Sequence, residues 1–225
     1  MSLKLNKQTG IGLFGGTFDP VHMGHLKTAA ELKKLFQLKE MRMILSARPP
    51  HRDTPSSNPD HRLKMLKIAL NGKEGKGLIL DKIEYERIGL SYTLDTVIAV
   101  RSQAGPEVSI CLCLGMDSFS SMDSWSDWKK LLNIVHIVVA NRPGWEQPRN
   151  GAIYEVIKKH RATDTLDFHR SPSGKIFLMK FTPMCISSTA IRKGIAQKGS
   201  IRGLLPEEVA EYIQTNKLYQ RIQDV

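Results

Sequence analysis

The stretch from Gly12 to Leu26, GLFGGTFDPVHMGHL, constrains this chain more than any other. It reads as the end of a buried strand, a glycine turn and the start of a helix. Ile11, Leu13 and Phe14 supply the short apolar run of the strand. Gly15 and Gly16 allow a tight turn and let a ligand approach the backbone. Pro20 fixes φ and suits a first helical turn, with Asp19 before it as candidate cap. His22 and His25 are three apart, so on a helix they share one face, and Gly24 keeps that face open between them. Free N–H groups and the helix dipole at such an N-terminus favour anions, which makes the stretch a seat for polyphosphate. Each element alone has an ordinary explanation. Histidines are commonly core or surface residues, and a Gly-Gly pair commonly marks only a turn. It is their strand–turn–helix order that points to phosphate.

At 225 residues, 41% of them hydrophobic, the chain fits one domain. No apolar run reaches the ~18 residues of a membrane span. Met1–Gln8 lacks the apolar centre of a signal peptide, and residues 1–9 are expected to form a flexible lead-in. Cys111, Cys113 and Cys185 have no metal-ligand spacing. Cys111 and Cys113 alternate in an apolar run, as core thiols on one strand face do, and a reducing cytoplasm fits them. The net charge of +11 attracts polyanions without choosing among them. No long Lys/Arg run appears, so neither nucleic acid nor membrane is the expected partner.

Strands and helices alternate along the rest. A helix follows the opening stretch to about Leu38, carried by Leu26, Ala29, Leu32 and Phe36, and a strand spans Met41–Leu45. Ser46–Pro59 is a long, proline-rich polar loop, and such loops are often functional. Asp60 is read as capping a helix with Leu63, Leu66, Ala69 and Leu70 on its buried side. Gly77–Glu86 alternates as a strand. A helix opens in Ser91–Thr96, and Val108–Leu114 and Ile134–Ala140 have the continuous apolar character of buried parallel strands. The pattern weakens from Trp145 to Gly174, apart from a helix over Ile153–Lys159. Lys175–Phe181 resumes as a strand, a short helix starts in Ser187–Arg192, and Pro206 begins the last helix. The predicted fold is α/β: a Rossmann-like, doubly wound parallel sheet in a single domain, with residues 183–225 as a small C-terminal helical part. Ligands of such sheets bind beyond the C-terminal strand ends.

A second constellation is Ile186-Ser-Ser-Thr-Ala-Ile-Arg192. Ser187, Ser188 and Thr189 can bond free helix N–H groups or phosphate oxygens, and Arg192, one turn on, can hold a phosphate bidentately. Alone, it reads first as a serine-rich helix cap with a surface arginine. Together the two stretches resemble the HxGH nucleotidyltransferase superfamily. Gly15-Gly-Thr-Phe-Asp-Pro-Val-His-Met-Gly-His25 is similar to its Gly-Gly-x-Phe-Asp-Pro-x-His-x-Gly-His signature, and Ile186–Arg192 to its Ile-Ser-Ser-Thr-x-Ile-Arg motif. The version present looks most like the bacterial nicotinate-mononucleotide adenylyltransferases. Pro49-Pro-His-Arg52, Ser91-Tyr-Thr93, Gly115-Met-Asp-Ser118, the pair Trp125 and Trp128, Arg142-Pro-Gly144 and Leu218-Tyr219 match that family's further segments.

The resemblance implies transfer of the adenylyl group of ATP to nicotinate mononucleotide, giving deamido-NAD and pyrophosphate, by direct in-line attack. It implies His22, His25 and Arg192 as catalytic residues. Gly15, Gly16, Thr17, Phe18, Ser187, Ser188 and Thr189 would bind ATP, and Tyr92, Thr93, Asp117, Trp125, His51 and Arg52 the acceptor. Mg²⁺ would enter mainly through the ATP phosphates, with no protein metal site, and a homo-oligomer is compatible with the family. Trp125 and Trp128, three apart on an expected helix, read as one ring for the core and one for the nicotinate. Asp117 has a second reading as the cap of its helix, and Asp19 reads as a loop-structuring residue. The rival acceptors are nicotinamide mononucleotide and phosphopantetheine. A non-catalytic nucleotide- or RNA-binding protein is the alternative of a different class.

Overall fold

The computed structural model describes residues 10–49, 55–141, 146–180 and 186–220. Its strands are β1 (Ile11–Gly16), β2 (Glu40–Leu45), β3 (Ile79–Asp81), β4 (Ile110–Gly115), β5 (His136–Asn141), β6 (Arg161–Ala162) and β7 (Ile176–Lys180). Its α-helices are α1 (Met23–Leu35), α2 (Pro59–Asn71), α3 (Thr93–Ala104), α4 (Met116–Ser120), α5 (Leu131–Ile134), α6 (Gly151–His160), α7 (Ser188–Ala196) and α8 (Glu207–Thr215). The sheet order is β3-β2-β1-β4-β5-β7-β6. β1 pairs in parallel with β4, placing Ile11 opposite Ile110 and Phe14 opposite Cys113. β4–β5, β5–β7 and β6–β7 are also parallel. The order reverses between β1 and β4, as in a Rossmann-like sheet, so the predicted fold class holds. Among the described residues no helix is long and apolar enough to cross a membrane.

Two compact units emerge. The first comprises the described parts of Met1–Gly15, Glu31–Arg42 and Tyr92–Thr182. Its core is the apolar run Ile110–Leu114, buried as parallel packing demands. Cys111 and Cys113 share one face there, their sulfurs 3.9 Å apart. Phe36 packs edge-on against Phe177 and Phe168, at 5.1 and 5.6 Å between ring centroids. Arg101 ties the loops beneath together, donating to the carbonyls of Gly105, Val108, Ile134 and Pro172.

The second unit comprises the described parts of Gly16–Ala30, Met43–Ser91 and Pro183–Val225. Phe18, Val21, Leu26 and Ala29 are buried here, as are Met65, Leu66 and Ala69 of α2 and Val209 and Ile213 of α8. His61 and Tyr212 join α2 to α8 by a 2.8 Å hydrogen bond.

The structure corrects several boundaries. β3 is only Ile79–Asp81 rather than Gly77–Glu86, because the Asp81 carboxylate accepts the Ile83 N–H at 3.0 Å and turns the chain. The cap of α2 is Asn58, whose side chain accepts from the His61 N–H at 2.9 Å; Asp60 lies inside the first turn. Pro20 is not in a first helical turn and Asp19 does not cap α1, which starts at Met23. The stretch read as polar after Trp145 carries β6, at the edge of the sheet, and a 3₁₀ turn over Thr165–Arg170 that sinks Phe168 into the core. The expected lead-in, Cys185, and the matched residues Pro50–Arg52 and Arg142–Gly144 lie outside the described residues.

Candidate active site

The glycines at the end of β1 do different work. A Cβ added at Gly15 would meet nothing within 4 Å, so that stretch of backbone is open to a ligand. At Gly16 an added Cβ would come within 2.8 Å of the Phe18 ring, so the turn closes too tightly for a side chain. Phe18 takes a left-handed φ of 48° and is buried. Its ring meets the edge of His25 at 5.0 Å, so it supports an imidazole and leaves only its backbone for a nucleotide.

His22 and His25 come together as their spacing predicts. Their rings stack at 3.6 Å between centroids, 20° from parallel. His22 sits just ahead of α1, and its carbonyl accepts the N–H groups of His25 and Leu26. Its backbone N–H in turn donates to His25 Nδ1 at 3.3 Å. A nitrogen that accepts from a backbone N–H carries no proton, so His25 is held as the tautomer whose Nε2–H is the donor. Gly24 leaves room between them, since an added Cβ would press to 3.1 Å against the His22 ring and the ring would have to give way.

The second motif closes on the first. Ser187 caps α7, its hydroxyl accepting the Ala190 N–H at 3.1 Å. Ser188 Oγ donates to the Pro20 carbonyl at 3.0 Å. Arg192 Nη1 donates to the Asp19 carbonyl at 2.8 Å, and Nη2 reaches Thr189 Oγ1 at 3.5 Å. All these residues belong to the second unit. Two histidine rings at the start of α1 are thus tied to the arginine and the hydroxyls at the start of α7. That donor set suits phosphate oxygens. It does not suit a metal cage: among the described residues no three His, Cys, Asp or Glu come together to hold an ion. The Asp19 carboxylate is occupied by the Ser56 N–H at 2.8 Å and the Tyr219 hydroxyl at 2.7 Å.

The cytidylyltransferase-like family model matches residues 13–194. A curated relative from Hahella chejuensis, named as a probable nicotinate-nucleotide adenylyltransferase, is 38% identical over 96% of this chain and 98% of its own length. Another of the same name, from Aeromonas salmonicida, is 39% identical over 93% of this chain and 97% of its own. The chain belongs to the nicotinate-nucleotide adenylyltransferase family. A structure of Plasmodium falciparum nicotinic acid mononucleotide adenylyltransferase complexed with NaAD has a TM-score of 0.74 at 19% identity, covering 97% of this chain and all of that one. The same enzyme complexed with APC gives 0.72 at 18%, covering 96% and 100%. At those identities the likeness is one of fold.

Of the residues expected to hold the acceptor in this adenylyltransferase family chain, Tyr92, Thr93, Asp117 and Trp125 lie in the first unit. Tyr92 and Thr93 are half-buried at the start of α3. Asp117 is exposed in the first turn of α4, and a Cβ at Gly115 would strike its carboxylate at 2.5 Å. Trp125 and Trp128 are not on one helix. Trp125 ends a 3₁₀ turn over Met122–Ser124 and Trp128 begins another, with Asp127 between them at a left-handed φ of 53°. Both rings are half-buried, and Lys129 Nζ lies 5.9 Å from the centre of Trp128. His51 and Arg52 lie outside the described residues.

Sequence reasoning missed Arg62, which is 1% exposed. It donates to the carbonyls of Thr17, Ser46, Ala47 and Ser57 at 2.8–3.0 Å, fixing the signature turn to the loop after β2. Burial pulls its pKa down, against the raising effect of Asp19. Its signal was there: positions 62, 66 and 69 lie on one helical face, which puts an arginine on an apolar stripe.

Proposed function

We propose that this chain transfers the adenylyl group of ATP to nicotinate mononucleotide, releasing deamido-NAD and pyrophosphate. The observation that carries it is the His22–His25 stack, with its Nε2–H donor, joined by Ser188 and Arg192 to the second motif. A phosphate oxygen of the mononucleotide attacks the α-phosphorus of ATP in line. A bond from that oxygen to the α-phosphorus forms while the bond to the α,β-bridging oxygen breaks. Pyrophosphate leaves with the bridging oxygen, and no protein nucleophile takes part. Catalysis of this kind rests on positioning and charge stabilisation. His25 and His22 donate to the α-phosphoryl oxygens and the leaving group. Arg192, held through Nη1 by the Asp19 carbonyl, turns its remaining donors to the β- and γ-phosphates. Gly15, Gly16 and Thr17 offer backbone donors, and Ser187, Ser188 and Thr189 hydroxyls. Tyr92, Thr93, Asp117 and Trp125 receive the acceptor, a ring over the nicotinate being favourable. Mg²⁺ enters as part of the substrate MgATP. We place the reaction in the cytoplasm, with nucleotides rather than nucleic acid as the anions drawn by the basic chain.

Pyrophosphate release from ATP is measured with nicotinate mononucleotide, nicotinamide mononucleotide, phosphopantetheine or RNA added in turn. The expected result is the highest kcat/KM with nicotinate mononucleotide. Faster release with phosphopantetheine, or none that depends on a mononucleotide, overturns the reading.

A further inference from the structure

Asp19 lies inside the signature yet touches parts of the chain far from it. The residue is 5% exposed, and a buried carboxylate is costly unless its oxygens are bonded. Oδ2 accepts the Ser56 N–H and lies 3.9 Å from Arg192 Nη1. Oδ1 accepts the hydroxyl of Tyr219, 200 residues away, at 2.7 Å. The Asp19 carbonyl is the acceptor of Arg192. One residue therefore carries both the anchor of Arg192 and the bond to the C-terminal segment. Tyr219 is only 9% exposed and sits at a left-handed φ of 61°. That conformation is costly for a bulky residue and persists only where its surroundings enforce it. Burial, then the charge of Asp19, push the Tyr219 pKa up, so its hydroxyl stays a donor.

We propose that Tyr219 is a positioning residue for the reaction, holding the Asp19 carboxylate so that the Asp19 carbonyl presents Arg192 to the ATP phosphates. This rests on the proposed role of Arg192. Without the hydroxyl, Asp19 Oδ1 is left without its 2.7 Å donor inside the protein, and the loop turns to find another. The Asp19 carbonyl turns with it, and the arginine loses its resting geometry. The ring itself can stay in place, so Tyr219→Phe separates the hydroxyl from the packing.

The test is a double-mutant cycle on purified full-length protein, with kcat and KM for ATP and thermal unfolding measured for each variant. Arg192→Ala is expected to lose at least about 100-fold in kcat/KM. Tyr219→Phe is expected to lose about 10-fold in kcat/KM for ATP. In an Arg192→Lys background the same Tyr219 change is expected to cost less than 2-fold, because the lysine no longer uses the fork geometry. Asp19→Asn, which keeps the size but weakens acceptance at the carboxylate, is expected to reproduce the Tyr219→Phe loss. A folded Tyr219→Phe variant with wild-type kinetics overturns the inference, and so does an undiminished 10-fold loss in the lysine background. If Arg192→Ala keeps wild-type activity, it is the proposed role of Arg192 that fails. If Tyr219→Phe does not fold, Asp19→Asn in the two backgrounds decides by the same criteria.

Discussion

A histidine three residues from another is an ambiguous signal until its nitrogens are accounted for. In the opening stretch the spacing of His22 and His25 was legible, and the structure stacks their rings as a shared face requires. What the sequence could not show is the backbone bond that strips His25 Nδ1 of a proton and leaves Nε2 as the donor. The opposite case is His136, which carries no motif and is fully buried in β5. Its Nδ1 accepts the Lys175 N–H at 3.1 Å and its Nε2 donates to the Ser171 carbonyl at 2.8 Å. Burial holds its pKa down to about 4, from an ordinary 6.5, with Arg101 and Lys175 adding to the effect and the Ser171 bond opposing it. Between those values the unfolded chain takes up a proton that the folded chain refuses. The contribution of His136 to stability is therefore whole above about pH 6.5 and is lost as the pH falls to about 4, about 3 kcal/mol in all. His136→Gln keeps one acceptor and one donor but does not titrate. Urea unfolding across that window is predicted to show a shallower loss of stability on acidification in the variant. An identical pH dependence in the two proteins would contradict this.

At the scale of elements, what was local in sequence was readable. β4 and β5 were found as apolar runs, α7 by its serines and α8 by its starting proline. The misses were decided by single side chains reaching the backbone: Asp81 ended β3, and Asn58 rather than Asp60 capped α2. Arg62 is the largest of these effects. It holds four carbonyls of two loops, and no periodic pattern announces contacts between Arg62 and residues as distant as Thr17. Arg62→Met keeps the length of the side chain and removes all four bonds, leaving buried carbonyls without donors. The expected cost is about 3 kcal/mol. For a chain of this size that is a fall in Tm on the order of 10 °C. Scanning calorimetry of the variant checks it, and an unchanged Tm would show that water or other donors replace the guanidinium.

For the whole molecule, the fold class followed from the alternation of strands and helices. The strand order did not follow from it, because the placing of β6 beyond β7 depends on a stretch whose sequence looked polar. The candidate site was legible as two motifs near opposite ends of the chain. Their union was not, since it is made by Ser188 on the Pro20 carbonyl and Arg192 on the Asp19 carbonyl, bonds spanning 168 and 173 residues. The candidate seat is therefore a product of the fold, assembled where the starts of α1 and α7 are tied together. Fixed donors of this kind predict a defect in turnover rather than in folding when one is removed. The most direct measurement is steady-state pyrophosphate release from ATP and nicotinate mononucleotide by the wild type and by His25→Ala, with circular dichroism to show that both are folded. The account predicts release that requires nicotinate mononucleotide and a kcat at least about 100-fold lower in the variant. Release by the wild type without the mononucleotide, or a folded His25→Ala protein turning over at the wild-type rate, would contradict it.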